Sequence, residues 1–517
     1  MSTDARHLSH LLEDASKQHP SAIAVEDEYD RTYSYEHLAH IADRVAARLA
    51  RWGVSRGDRV GLWLPKCLES VAAIHGVLRT GAAYVPVDPS GPPLRSACIL
   101  AECGVRAVIV SAALAKSLRE SWPGPGPLPR LVVVGAGEIG PSDAHWDDIL
   151  ADDAPSPLWP IRRADDLAYI LWTSGSTGRP KGVMLSHANA FCFLDWCQSA
   201  IDLHDDDRFS SHAPFHFDLS IFDLYTCCRR SGTLVLIGEA LGRDPARLGS
   251  FLHTRKINVW YSAPSILSLL CEHAELDAAG FQPPRVVLFA GEVFPIRSLK
   301  RLRKLWPDAA MWNLYGPTET NVCTAEPIPQ TIPDDRAEAL PIGRVCAPLQ
   351  ARVVDQEGVD VPPNTIGELL IAGPGVTCGY FGRADLSAAA FLVDATGSWY
   401  RTGDLVENDG TGRYTFRGRR DRMIKKRGYR IELGEIESAL HQHEDVASAA
   451  VVADAQDDGV AISAYVSVKP GRKASIIAMK RHCSTYLPHY MIPDRVEFVA
   501  EMPRTSTDKV DYQSLGK

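Results

Sequence analysis

Residues 171–182 read L-W-T-S-G-S-T-G-R-P-K-G and lie between two apolar, β-prone runs at 168–172 and 183–185. Runs of that kind flanking a turn-rich segment predict strand, loop, strand, which commits this part of the chain to a sheet. Gly175, Gly178 and Gly182 let the backbone turn with its amides exposed, Thr173, Ser174, Ser176 and Thr177 add hydroxyl donors, and Lys181 adds a cation. A loop so built suits a polyphosphate. It lacks the G-x-x-x-x-G-K-[ST] spacing, and V-M-L-S rather than a helical pattern follows it, so it is not the commonest nucleotide loop.

With 517 residues the chain exceeds one ordinary core, and domains of common size would number about three. Lys plus Arg total 55 against 64 Asp plus Glu, a net charge of -9, which offers no general attraction to nucleic acid or to an anionic membrane. The 12 cysteines form no C-x-x-C pair and sit mostly in apolar stretches, as reduced, buried thiols do. Acids interrupt the N-terminal M-S-T-D-A-R-H-L-S-H-L-L-E-D where a signal peptide needs an apolar core, and no uncharged apolar run reaches membrane-spanning length. The expectation is a cytoplasmic protein.

Ser34 precedes Leu38, Ile41, Val45, Leu49 and Trp52 at helical spacing, and Gly53 follows, which predicts a capped helix ending at that glycine. Short β-like runs at 59–64 and 105–110 come next. Strands alternating with amphipathic helices predict an α/β architecture. The segments 123–129 and 152–160 read as surface connections. Eight of the 14 residues at 417–430 are basic, with Met423, Ile424 and Tyr429 interleaved. That pattern predicts a folded joint between domains rather than a nucleic-acid patch. Beyond it, helices near 435–441 and 475–487 and strands near 446–452, 461–468 and 495–499 fit a small α+β domain, with the boundary close to Asp421.

The run L-V-V-V-G-A-G-E-I-G at 131–140 satisfies G-x-G-x-x-G after a strand. Pro141 follows at once and no amphipathic helix continues, so it is read as a glycine turn and not as the dinucleotide loop of an NAD-dependent oxidoreductase. His37 and His40 share a helix face without a third ligand, and the basic stretch 300–304 is read as a solvated face. Asn313 to Cys323 reads N-L-Y-G-P-T-E-T-N-V-C, and Y-R-T-G-D-L at 400–405 places Asp404 after a glycine. An aromatic face, a hydroxyl, a carboxylate for a magnesium ion and a second carboxylate for ribose hydroxyls are the parts of an ATP site.

Taken in order, the loop at 173–182, Y-G-P-T-E at 315–319, G-E-L at 367–369, Y-R-T-G-D at 400–404, G-R-R-D at 418–421 and K-K-R-G-Y-R-I-E-L-G-E-I-E at 425–437 closely resemble the adenylate-forming enzymes, and more narrowly the amino-acid adenylation domains of nonribosomal peptide synthesis. The resemblance spans nearly the whole chain. It implies an α/β fold with a large layered N-terminal domain, 1–420, that binds ATP and substrate, and a small mobile α+β domain, 421–517, that swings about a hinge at Asp421. Mg-ATP and a carboxylate would give an acyl adenylate and pyrophosphate, after which a phosphopantetheine thiol takes the acyl group. By the same resemblance Asn313 and Tyr315 meet adenine, Asp404 the ribose, Thr318 the α-phosphate and Glu319 the magnesium, with Arg419 near ribose and phosphates and Gly316 in the ATP-binding set. Lys425 and Lys509 join the catalytic set, Lys509 as the cation that meets substrate carboxylate and transferring phosphate. Asp508 stands where the family usually has glycine.

Asp218, in F-H-F-D-L-S-I-F-D-L at 215–224, matches the family position whose carboxylate grips an α-amino group. Leu219, Phe222, Tyr261, Leu288, Ala290, Leu314, Val322 and Cys323 match the pocket positions. None of them carries charge, so the pocket disfavours acidic, basic and amide side chains, while Phe222 and Tyr261 narrow it. This lining resembles the free-standing L-proline-activating enzymes that load a carrier protein for pyrrole formation. The chain stops at Lys517, eight residues after Lys509, so the expected partner is a discrete peptidyl carrier protein. Another small apolar amino acid, or an acyl- or aryl-CoA ligase activity, is the alternative expectation. A silent carrier-binding protein is a third, disfavoured by intact Lys509, Glu319 and Asp404.

Overall fold

The structure, a computed structural model, describes residues 6–123, 126–152, 161–175, 179–456, 459–504, 510–512 and 514–515. The helix expected after Ser34 spans Tyr35–Arg51, and the Ser34 side chain accepts the His37 amide at 3.2 Å. Its apolar stripe, Leu38, Ile41, Val45 and Leu49, is buried and the helix packs on Leu68–Arg79. Gly53 ends it at a φ of 84°, a left-handed turn that glycine adopts without strain.

Seven strands form one sheet in the order Ala144–His145, Arg130–Val134, Ala107–Ser111, Arg59–Trp63, Ala83–Pro86, Leu167–Thr173 and Lys181–Ser186. All neighbours are parallel except the last pair, the hairpin expected around the phosphate-type loop, with Thr173 opposite Lys181. A 14-stranded sheet has a parallel centre made of Thr233–Leu236, Arg208–Ser211, Val259–Ser262, Val286–Ala290 and Ala310–Tyr315. It continues antiparallel through Thr324–Pro327, Gly343–Val345, Arg413–Arg419 and Gly397–Asn408. Helices between the sheets bury their apolar faces with both in one large core. Open parallel sheets bind ligands beyond the carboxyl ends of their strands. Tyr261, Ala290 and Tyr315 lie at or next to such ends.

The C-terminal part has its own core of Ile431, Ile436, Leu440, Val451, Ile462, Val466 and Met479. Helices Leu433–His441 and Ile476–Tyr486 cover the strands Val446–Gln456, Gly459–Val468 and Arg495–Phe498. The first strand outruns its sequence signal at 452 because Ala453 to Gln456 pair with Ile462 to Gly459. Ladder partners, not propensity, extend it.

Two readings change. The basic stretch is part of helix Ile296–Leu305, but Arg303 is buried and donates to the Ala309 carbonyl at 2.7 Å, while Lys300 Nζ donates to the Asp334 and Arg336 carbonyls at 2.7 and 2.8 Å. These cations cap backbone, so the face is only partly solvated. All 12 cysteines are free thiols, yet Cys98 and Cys378 are exposed rather than buried. After strand Arg130–Val134 the chain turns at Gly135 with no helix, and Asp143 accepts the Leu131 and Gly140 amides. Among the described residues no helix is long and apolar enough to cross a membrane.

Candidate active site

One cavity collects most of the motif residues. Asp218, Leu219, Tyr261, Ala290 and Val322 line it together with Thr173, Ser174, Gly316, Thr318, Asp404, Arg419 and Lys425. Thr173, Ser174, Ala290, Gly316 and Thr318 come from strand ends or the turns after them, which is why residues far apart in sequence meet here.

Asp218 is half-buried on the loop after Arg208–Ser211. Burial pushes its carboxyl above its ordinary value, and Thr318 and Lys425 pull it back. With apolar Leu219, Ala290 and Val322 as neighbours in the wall, an opposite charge from a ligand would be drawn to it strongly. Phe222, Leu288, Leu314 and Cys323 are buried in the packed layers of the core and are not among the residues that line the cavity.

Asp404, 2% exposed, sits in the strand Gly397–Asn408. One oxygen accepts the Tyr315 hydroxyl, and the other accepts Arg419 Nη1 at 2.5 Å. Arg419 also forks onto Asp421 at 2.6 and 2.7 Å, a bidentate pair that ties Asp421 to the cavity wall. Asn313 donates to the Pro341 carbonyl at 2.9 Å. Lys425 Nζ stands 5.6 Å from the Tyr315 ring centroid. Burial lowers its pKa from the ordinary lysine value, and Asp404 opposes that shift. In the Y-G-P-T-E turn a side chain on Gly316 would overlap the Asn321 carbonyl, so only glycine lets the turn close.

Glu319 is fully buried and accepts three donors: Lys181 Nζ at 3.1 Å, Arg430 Nη1 at 3.1 Å and the Tyr380 hydroxyl at 2.7 Å. Burial alone would raise its carboxyl, but Arg430 and Lys181 outweigh it and hold the group below the usual carboxylate range. Lys181 also donates to the Tyr380 hydroxyl at 3.0 Å. A single carboxylate with a neighbouring hydroxyl suits Mg²⁺ carried in on a triphosphate, since that ion keeps several waters and takes its other ligands from phosphate. Thr318 lines the cavity, while Glu319 stands directly behind it, fully buried and held by Lys181, Arg430 and Tyr380, so it would have to exchange one of these partners to take the ion.

The hairpin Met423–Lys426 and Tyr429–Glu432 packs directly on this cavity. Ser174 Oγ donates to the Arg430 carbonyl at 2.8 Å, and the Gly428 amide donates to Glu292 at 2.8 Å. The basic run is therefore a joint, as its interleaved apolar residues implied. Among the described residues Thr173 Oγ1 is buried without a partner, and a side chain on Gly175 would overlap the Arg179 carbonyl. Ser176, Thr177, Gly178, Asp508 and Lys509 lie outside the described residues. Sequence reasoning missed Tyr380, which stands in an unremarkable C-G-Y-F-G stretch, and gave Arg430 no role of its own within the basic run. Only the approach of distant segments identifies them.

Residues 12–381 match the model of the AMP-binding enzyme family, and residues 435–509 match that of the AMP-binding enzyme C-terminal domain. An L-proline--[L-prolyl-carrier protein] ligase of Pseudomonas fluorescens is 37% identical over 500 residues, covering 97% of each chain. One from Streptomyces coelicolor is 38% identical over 530 residues, covering 100% of this chain and 97% of its own. The adenylation domain AlmE of Vibrio cholerae, solved with glycyl-adenosine-5'-phosphate, superposes with a TM-score of 0.83 at 22% identity, covering 99% of this chain and 97% of that one. The chain belongs to the AMP-binding enzyme family.

Proposed function

We propose that the protein uses ATP and Mg²⁺ to convert L-proline to L-prolyl-AMP and then passes the prolyl group to the phosphopantetheine thiol of a separate peptidyl carrier protein. In the first step a proline carboxylate oxygen attacks the α-phosphorus, the bond to the bridging oxygen of the β-phosphate breaks, and pyrophosphate leaves. In the second the thiol sulfur attacks the acyl carbon, its proton is lost, and AMP leaves with the electron pair of the mixed-anhydride bond.

The carrying observation is a carboxylate, Asp218, in a wall formed by Leu219, Tyr261, Ala290 and Val322. It would hold the ammonium of the substrate while the apolar wall accepts the ring, with Phe222, Leu288, Leu314 and Cys323 shaping that wall from behind. The two relatives named for proline, at 37% and 38% identity over nearly their full lengths, support the choice of amino acid. In this reading Asn313 and Tyr315 receive adenine, Gly316 lets the turn close beside the nucleotide, and Asp404 takes the ribose, with Arg419 fixing the Asp404 carboxylate. Thr318 meets the α-phosphate, Glu319 the magnesium, and the loop from Thr173 to Lys181 the leaving phosphates. Lys425 and Lys509 supply cations, Lys509 to the charge building at phosphorus. The boundary between the two domains falls at Asp421, which acts as the hinge.

An aryl or fatty acid has no ammonium to hold and gives no use to an anion at position 218 in an apolar wall. Pyrophosphate exchange measured with each of the twenty amino acids and a set of aryl and fatty acids tests the reading. Proline is expected to give the highest rate, and a higher rate with any acid lacking an amino group would overturn it.

A further inference from the structure

We propose that Lys66 is a positioning residue for amino-acid binding, and that it holds in place the loop on which Asp218 is presented. Lys66 follows the strand Arg59–Trp63 of the seven-stranded sheet, while the loop it serves leaves the strand Arg208–Ser211 of the other sheet. Its Nζ donates to three successive carbonyls, Ser211 at 2.5 Å, His212 at 3.0 Å and Ala213 at 2.7 Å. An ammonium has three hydrogens, so all its donors are committed to this one segment. The ladder of that strand ends at Ser211, so beyond it the backbone carbonyls need other donors. The same ammonium lies 5.6 Å from the ring centroid of Phe215, three residues before Asp218.

The other end of the loop is gathered by the same charge. Phe222–Thr226 is a π-helix, a rare form that often marks functional segments. Its Asp223 is 1% exposed, and among the described residues both carboxylate oxygens lack a hydrogen-bond partner. Burial drives that carboxyl well above its ordinary value, and Lys66 is the charge that opposes the shift. Lys66 thus binds the entry to the segment 211–223 and faces its exit, with Asp218 between. The residues proposed for phosphate and ribose, the loop from Thr173 to Lys181, Thr318, Asp404 and Arg419, lie on segments other than 211–223, so the loss of Lys66 should weaken amino-acid binding selectively.

This inference rests on the proposed role of Asp218 as the ammonium anchor, and the test separates the two. Pyrophosphate exchange is measured on the full chain with whichever amino acid the unaltered enzyme activates best; the identity of that acid judges the proline reading alone. Lys66→Met is expected to raise KM for the amino acid about 10- to 100-fold, the scale of a loop displaced by about 1 Å, with KM for ATP unchanged. Lys66→Arg, which keeps charge and donors, is expected to restore most of the loss. An unchanged amino-acid KM in folded Lys66→Met, or equal rises in both KM values, overturns the proposal. If Lys66→Met does not accumulate as folded protein, Lys66→Gln, which keeps two donors, takes its place with the same expectations. Failure of both to fold makes Lys66 a general stability residue and likewise overturns the assignment.

Discussion

At the scale of single residues, what decides the chemistry is where a charge sits relative to apolar neighbours. Asp218 beside Leu219, Ala290 and Val322 makes a wall that favours one opposite charge and little else. Asp218→Asn keeps the shape and removes the charge. A charge-assisted contact is worth about 1.5 to 3 kcal/mol, so KM for proline should rise about 10- to 100-fold while KM for ATP stays unchanged, as read in pyrophosphate exchange. Lys509→Ala should lower the exchange rate by about 10² to 10³ with little change in either KM, the effect of removing one transition-state donor. Asp218 was legible because its flanking sequence is apolar and its motif is specific. Tyr380 was not, since nothing local distinguishes a tyrosine that happens to meet Glu319 and Lys181 across the fold.

At the scale of elements, the hairpin Met423–Lys426 and Tyr429–Glu432 joins the two parts of the chain through a buried carboxylate. Glu319 has its carboxyl held below the ordinary value by Arg430 and Lys181. A depressed carboxyl contributes stability that is fully present above its unfolded value, about 4.3 for glutamate, and is lost as pH falls through the folded value. Thermal melting followed from about pH 6 down to about pH 3.5 should therefore show a loss of stability beginning below about pH 4.3. Glu319→Gln should flatten that part of the profile; an unaltered acid limb in the variant would show that the contact does not contribute. Helix Tyr35–Arg51 shows how local signals suffice when they agree: the Ser34 cap, the apolar stripe and Gly53 place both ends. Strand Val446–Gln456 shows the opposite case, its last residues being ordered by the partner strand.

At the scale of the whole molecule, two sheets share one large core, and the C-terminal part carries its own. Nine of the 12 thiols are buried and burial raises the pKa of thiols such as Cys197 and Cys227 well above the ordinary value. A thiol-reactive chromophore added to the native protein should modify Cys98 and Cys378 first, the two exposed thiols, and reach all 12 only after denaturation. Rapid reaction of more than these and the half-buried Cys67 would contradict the packing described.

The sequence by itself determined the class of fold, the ends of capped elements such as helix Tyr35–Arg51 and the identity of the motif residues, because periodicity, caps and glycine turns act within a few residues of where they are written. The tertiary structure alone decided which of those residues meet. Glu319 lies between Lys181 and Arg430, and Lys66 caps the carbonyls ahead of Asp218, because separate segments pack together. The strength of each such contact depends on how far packing removes it from water, a property no local stretch of sequence carries.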